Sequence, residues 1–159
     1  MPDICSKIAA VTLGCKVNQV DTARLFESLK DLAQNYHIAL EWVDEREKAD
    51  LYLVNTCSVT ASTDSQCRKA ISKLHRLNPE GKIIVTGCYS DHGREKLTSM
   101  PGVKAVVANR DKDILPYFCI QALLPEKERE EFSYNKRTRD YFKQAVGGKH
   151  EWFFAVGED

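Results

Sequence analysis

The chain has 159 residues, enough for one domain of ordinary size plus an extension. Hydrophobic residues make up 43% and charged residues 29%, which excludes a disordered or collagen-like chain. Lys+Arg and Asp+Glu number 23 each, so bulk charge points to no nucleic-acid partner and only a local basic patch could hold one.

Residues 8–13 form a short apolar run closed by Gly14 and read as a buried strand. Leu25, Phe26, Leu29, Leu32 and Ala33 then recur at helical spacing within residues 21–34. A weaker strand is expected over residues 39–43. A charged stretch over 44–49 precedes a strong strand over 51–55. Residues 62–77 carry Cys67, Ala70, Ile71, Leu74 and Leu77 on one helical stripe, and Asn78-Pro79-Glu80-Gly81 stops that helix. Residues 82–86 are a third strong strand, closing at Gly87. A short helix over 95–100 leads to Pro101-Gly102, and a fourth strong strand follows over 103–108. Ile114, Leu115, Phe118, Ala122 and Leu123 mark a last helix within 111–124.

Strands alternating with helices predict an α/β domain. Its sheet is mainly parallel and open, of about five strands flanked by helices, in a Rossmann-like or flavodoxin-like three-layer arrangement. One link is awkward. Parallel strands are usually joined by a crossover of about a dozen residues, and the 44–49 stretch is half that. Either it is a tight helical turn, or the 39–43 strand lies at an edge and runs the other way. Beyond Leu124 the composition shifts to a charged run over 125–131 and a basic, aromatic stretch over 134–149, as in a linker and tail. No apolar run approaches the roughly 18–20 residues that cross a bilayer, so no membrane partner is expected. The start, with acidic Asp3 and a single basic Lys7, does not read as a secretory leader, and a reducing cytoplasmic setting is the expectation.

Six cysteines are present. Cys15, Cys57 and Cys88 each stand just past the C-terminal end of a predicted strand. In open α/β sheets that edge gathers ligands and catalytic groups. Parallel strands would therefore bring three distant thiols together, with Gly14 and Gly87 allowing close backbone approach. Thiolates are soft ligands, suited to zinc or iron–sulfur clusters. A structural zinc usually takes four ligands, often from Cys-x-x-Cys pairs, and no close pair is present here. By spacing alone, a shared metal site and three unconnected thiols both stay open. Cys67 and Cys119 lie on helical apolar stripes, where a thiol packs as a small hydrophobe. Cys5 precedes the first strand, and nothing singles it out.

Around these cysteines the chain reads Thr12-Leu13-Gly14-Cys15-Lys16-Val17-Asn18-Gln19, then Val54-Asn55-Thr56-Cys57-Ser58-Val59-Thr60, then Val85-Thr86-Gly87-Cys88-Tyr89. These segments, in this order, resemble the N-terminal domain of the radical S-adenosylmethionine tRNA methylthiotransferases. The wording is most similar to the branch acting on N6-threonylcarbamoyladenosine at position 37 of tRNA. The resemblance runs over roughly residues 7–125 and implies that Cys15, Cys57 and Cys88 bind an auxiliary 4Fe–4S cluster that takes part in sulfur transfer. It also implies a second domain with a Cys-x-x-x-Cys-x-x-Cys motif, which binds another 4Fe–4S cluster and cleaves S-adenosylmethionine. A C-terminal RNA-binding domain usually follows. Replacing an unactivated adenine C–H by a methylthio group calls for radical chemistry, which cofactors carry.

No cysteine follows Cys119, so the second motif is absent from this sequence. Residues 137–143 still resemble the lead-in to the radical domain. The expected organisation is therefore a cluster-binding domain over residues 1–125, a linker toward a missing radical domain over 126–143, and a non-homologous tail over 144–159. Such a truncated or frame-shifted chain is expected to be inactive alone in methylthiolation. Two alternatives stand beside this: a stand-alone iron–sulfur or sulfur-carrier protein working in trans with a radical enzyme, or an interaction module without a cluster.

Asn18 and Asn55, beside cluster cysteines, suit hydrogen bonds that orient a metal site, or ordinary turn and cap chemistry. Arg68, Lys69, Lys73, His75 and Arg76 decorate the helix after Cys57, a face that suits solvent or RNA phosphate. No Gly-x-Gly-x-x-Gly or Walker-type loop is present, so the α/β reading carries no nucleotide-binding motif.

Overall fold

The computed structural model describes residues 4–13, 16–56, 61–87, 94–108 and 115–124. In chain order these form β1 (Ile4–Thr12), α1 (Lys16–Asn35), β2 (Ile38–Trp42), β3 (Leu51–Thr56), α2 (Ala61–Leu77), β4 (Lys82–Gly87), α3 (Arg94–Ser99), β5 (Val103–Ala108) and α4 (Leu115–Leu123). The five strands form one sheet in the order β2-β1-β3-β4-β5, and every pairing is parallel. This is the flavodoxin-like order, in three layers.

Successive strand residues point to opposite faces, and both faces are covered. Ile8, Leu51, Leu53 and Ile84 pack against α1 and α4, through Leu25, Leu29 and Phe118 among others. Ala9, Tyr52, Val54, Ile83 and Val85 pack against α2 and α3, through Cys67, Ile71, Leu74 and Leu97. A strand buried on both sides has no polar face to show, and all six residues of β3 are buried. α1 closes at His37, whose φ of 58° places it in the left-handed region that ends many helices. α2 ends where Asn78 donates its backbone N–H to the Leu74 carbonyl and Pro79 follows.

The short link between β2 and β3 is explained by register. β2 does lie at the sheet edge, but it runs parallel to its neighbour. The lower half of β1 pairs with β2, so that Ile8 faces Trp42, and the upper half pairs with β3, so that Ile8 also faces Leu51. β2 therefore finishes at the level where β3 begins. Residues 43–50 need only step sideways across β1, a distance of about 10 Å, and no return along the sheet is required. The link is fastened to β1 on the way: Val43 donates to the Ile8 carbonyl and Asp50 to the Lys7 carbonyl, while Lys7 donates to the Asp50 carboxylate at 2.8 Å. β1 itself starts at Ile4 rather than at residue 8, so Cys5 lies within it. α1 starts at Lys16 rather than at residue 21.

Candidate metal centre

β1, β3 and β4 are neighbours, and their C-terminal ends stop at nearly one level. Thr12 is paired with Asn55, Asn55 with Thr86, and Thr56 with Gly87. One step further, Leu13 donates its N–H to the Asn55 carbonyl at 2.9 Å. From this rim α1 returns on one face of the sheet and α2 on the other. The helices that follow β1 and β3 thus lie on opposite faces, which makes this edge the topological switch point at which α/β sheets of this order bind ligands.

Cys15, Cys57 and Cys88 lie outside the described residues, as does Gly14. The structure places the residues that lead to them. Cys15 comes two residues after Leu13, Cys57 one after Thr56, and Cys88 one after Gly87. Asn18 falls in the first turn of α1.

The rim is held by polar side chains of which the sequence singled out only Asn55. Asn55 is fully buried, and its Nδ2 donates to Thr22 Oγ1 of α1 at 3.1 Å. Thr22 Oγ1 lies 2.9 Å from Thr12 Oγ1, so one polar chain ties β3, α1 and β1 together. Thr56 Oγ1 donates to the Thr86 carbonyl at 2.9 Å, and Thr86 Oγ1 donates to the Val107 carbonyl at 2.8 Å. These bonds carry the tie across β4 to β5. The signal was present in the sequence: a threonine stands within three residues before each of Cys15, Cys57 and Cys88.

Gly87 completes the rim. Its φ is 108°, and a Cβ built there would lie 2.1 Å from the Thr56 carbonyl oxygen and 2.6 Å from the Thr56 nitrogen. Only glycine lets β4 turn away at this point while hugging β3. The expectation of close backbone approach beside Cys88 is met on the described side of that cysteine.

The remaining cysteines are kept apart from this edge. Cys5 is exposed near the opposite end of β1. Cys67 and Cys119 are buried, as their apolar stripes predict. Burial pushes the Cys67 thiol up to about 12, with the Asp64 charge adding to the rise, and burial alone pushes Cys119 up to about 12. Neither is a thiolate at neutral pH, so neither is a ready metal ligand. Among the described residues, no group of three or more His, Cys, Asp or Glu is placed to hold a metal ion.

The model described as Uncharacterized protein family UPF0004 matches residues 7–108. This chain belongs to that family. UPF0004 is the N-terminal domain of the radical S-adenosylmethionine methylthiotransferases, and the match covers β1 to β5 in full apart from the first three residues of β1. The chain is 37% identical over 106 residues to the threonylcarbamoyladenosine tRNA methylthiotransferase MtaB of Bacillus subtilis, covering 67% of this chain and 22% of the relative. It is 38% identical over 111 residues to MtaB of Aquifex aeolicus, covering 69% and 25%. It is 27% identical over 159 residues to the ribosomal protein uS12 methylthiotransferase RimO of Alkalilimnicola ehrlichii, covering 94% and 34%. The UPF0004 chain thus spans about a quarter of the MtaB relatives' length. Among the described residues, no helix is long and apolar enough to cross a membrane.

Proposed function

We propose that this chain serves as the cluster-binding module of a tRNA methylthiotransferase, with Cys15, Cys57 and Cys88 holding an auxiliary 4Fe–4S cluster. The observation that carries the reading is the shared level of the β1, β3 and β4 ends at the point where the chain reverses its winding. One cysteine follows each end within two residues of a described position. The residues present fit such a group: three soft donors issue from adjacent strands, and Gly87 keeps the β4 exit free of a side chain. The hydroxyl and amide chain through Thr12, Thr22, Asn55, Thr56 and Thr86 locks the strand ends, so the loops start from a rigid platform. Cys15 directly precedes α1, a 20-residue helix whose N-terminal dipole favours a thiolate over a thiol. A bound cluster of this kind supplies an iron site for sulfur in the methylthio transfer. In this reading residues 1–125 form the module and residues 126–143 lead toward a radical domain, which acts in the same chain or in trans.

Anaerobic reconstitution with iron and sulfide tests the site. About four iron atoms per chain are expected. Cys15→Ala, Cys57→Ala and Cys88→Ala should each lose most of that iron, while Cys67→Ala and Cys119→Ala keep it. Full iron in all three rim variants would falsify the assignment. For the acceptor, the tRNA reading rests on the higher identity to the two MtaB proteins. The match to RimO along 94% of this chain supports ribosomal protein uS12 as a second reading. Supplying a radical methylthiotransferase domain, S-adenosylmethionine and either tRNA or uS12 separates them by which acceptor gains the methylthio group.

A further inference from the structure

A cavity of about 580 Å³ lies over the upper half of β1, on the face that carries α2. It exists because α2 and the 43–50 link flank this part of β1 without covering it. Its inner wall is apolar. Val11 and Leu74 are buried there, and Leu13, Ala70 and Leu77 are half-buried. Its mouth is charged, with Arg46, Lys73, Arg76 and one carboxylate, Glu45, all exposed. The volume is in the range of small-molecule sites.

The charge at the mouth is not shared evenly. Arg46 is already engaged, its Nε 2.8 Å from Asp44 Oδ1. Lys73 and Arg76 are not ion-paired among the described residues. They belong to a stretch of α2, residues 65–77, that carries Arg68, Lys69, Lys73, His75 and Arg76 and no carboxylate, in a chain whose charges cancel overall. His75 does not join that outer face, because its Nδ1 is buried against Gly102. On the helix, Ala70 and Leu77 flank the buried Cys67–Ile71–Leu74 stripe on one side, and Lys73 lies just beyond them. An apolar wall beside two unpaired cations suits a flat base carrying a phosphate. Glu45 opposes a phosphate and a peptide carboxylate alike, so the choice of RNA rests on the flat apolar wall beside the two cations.

We infer that this cavity is an RNA-docking subsite, in which one unpaired base rests on Val11, Leu13 and Leu74 while Lys73 and Arg76 hold flanking phosphates. Single-stranded loops are where proteins reach RNA bases, and cations on the backbone supply the affinity. Leu13 both lines the cavity and lies two residues before Cys15, so the docked strand runs beside the rim. The inference rests on the tRNA reading and not on the loading of iron.

The test is binding of a fluorescent RNA stem-loop to the full chain across a salt series, with a fully paired RNA duplex as the comparison. The stem-loop should bind more tightly than the duplex. Lys73→Ala with Arg76→Ala should weaken it and reduce the slope of log affinity against log salt by about 1.4, two phosphates at single-strand spacing. Arg24→Ala with Lys30→Ala, exposed on α1, should change neither quantity. Ala70→Phe fills the cavity and should lower stem-loop affinity severalfold while duplex binding stays the same; Ala70→Leu replaces it if the larger side chain lowers the melting temperature. Equal losses in the two double variants would overturn the subsite, as would undiminished binding in the filled cavity. Iron measured on the same samples separates the readings. Wild-type protein that holds iron but no stem-loop sinks only this inference, and protein that binds the stem-loop without iron sinks only the cluster.

Discussion

Where β3 begins, buried polar groups fasten a loop. Tyr52 Oη accepts from the Ala49 N–H and donates to the Glu47 carbonyl, each at 2.9 Å, and Asn78 Nδ2 donates to the Ala49 carbonyl at 2.9 Å. Where β3 ends, buried Asn55, Thr56, Thr86 and Thr22, with half-buried Thr12, fasten strands to one another and to a helix. The lower end spends its polar side chains within its own turns and presents little chemistry. The upper end ties together the strand ends from which three cysteine-bearing segments follow in sequence. The difference teaches that the same residue types can serve closure at one end and presentation at the other.

The sharpest way to break this comparison is at one crowded glycine from each end. Gly87→Ala forces a Cβ against the Thr56 backbone at a φ of 108° and should cost ~3 kcal/mol or more, with iron content falling alongside. Gly81→Ala, at the lower end, meets Tyr52 Cε2 at 2.8 Å and the Ala49 oxygen at 2.9 Å without a left-handed φ, and should cost ~1–2 kcal/mol while iron is retained. Urea titration with iron analysis checks both. Next, Asn55→Ala should cost ~2 kcal/mol and reduce iron uptake, whereas Tyr52→Phe should cost ~1 kcal/mol and leave uptake unchanged.

The buried thiols between the two ends give a smaller effect, visible in alkali. In the fold, Cys67 and Cys119 stay protonated up to about 12, while in the unfolded chain they ionise near the ordinary value of 9.0. Their contribution is therefore intact below pH 9 and declines above it, by ~1 kcal/mol per thiol over the first pH unit. Denaturation curves across that range should show the decline, and Cys67→Ala with Cys119→Ala should remove it. Smallest of all, Cys5→Ser should stay within ~0.5 kcal/mol of the parent and keep its iron, because Cys5 is exposed at the lower end. Iodoacetamide at neutral pH should label Cys5 in the native protein and spare Cys67 and Cys119.

β3, β4 and β5 were legible in the sequence because sheet faces covered on both sides leave short, mostly apolar runs, with Lys104 the one charge inside β5. The stripe of α2 was legible for the same reason of burial, through Cys67, Ile71 and Leu74. The start of β1 was not, since exposed Cys5 and Lys7 interrupt the pattern around buried Ser6. Nor was the start of α1, where Val20 is 52% exposed and supplies no stripe. The direction of β2 depends on how two ladders share β1, which is not a local property and leaves no mark on residues 38–42. At the rim, the positions of the cysteines after strands could be read directly. The threonines could not be assigned their task, because a hydroxyl's partner is a carbonyl on a neighbouring strand. Asn55 was singled out as a residue beside the cysteines, and its described bond to Thr22 shows it bracing the rim.

The staggered sharing of β1 has a mechanical side. Ile8 is the common mark of two scales, one read downward against β2 and one upward against β3. Sliding β1 by two residues to suit either neighbour would strip the other of its partners, and sliding it by one would turn every apolar side chain the wrong way. The height of Thr12 is thereby set from the opposite extremity of the molecule, as a vernier sets a jaw, with no ligand needed to hold it there.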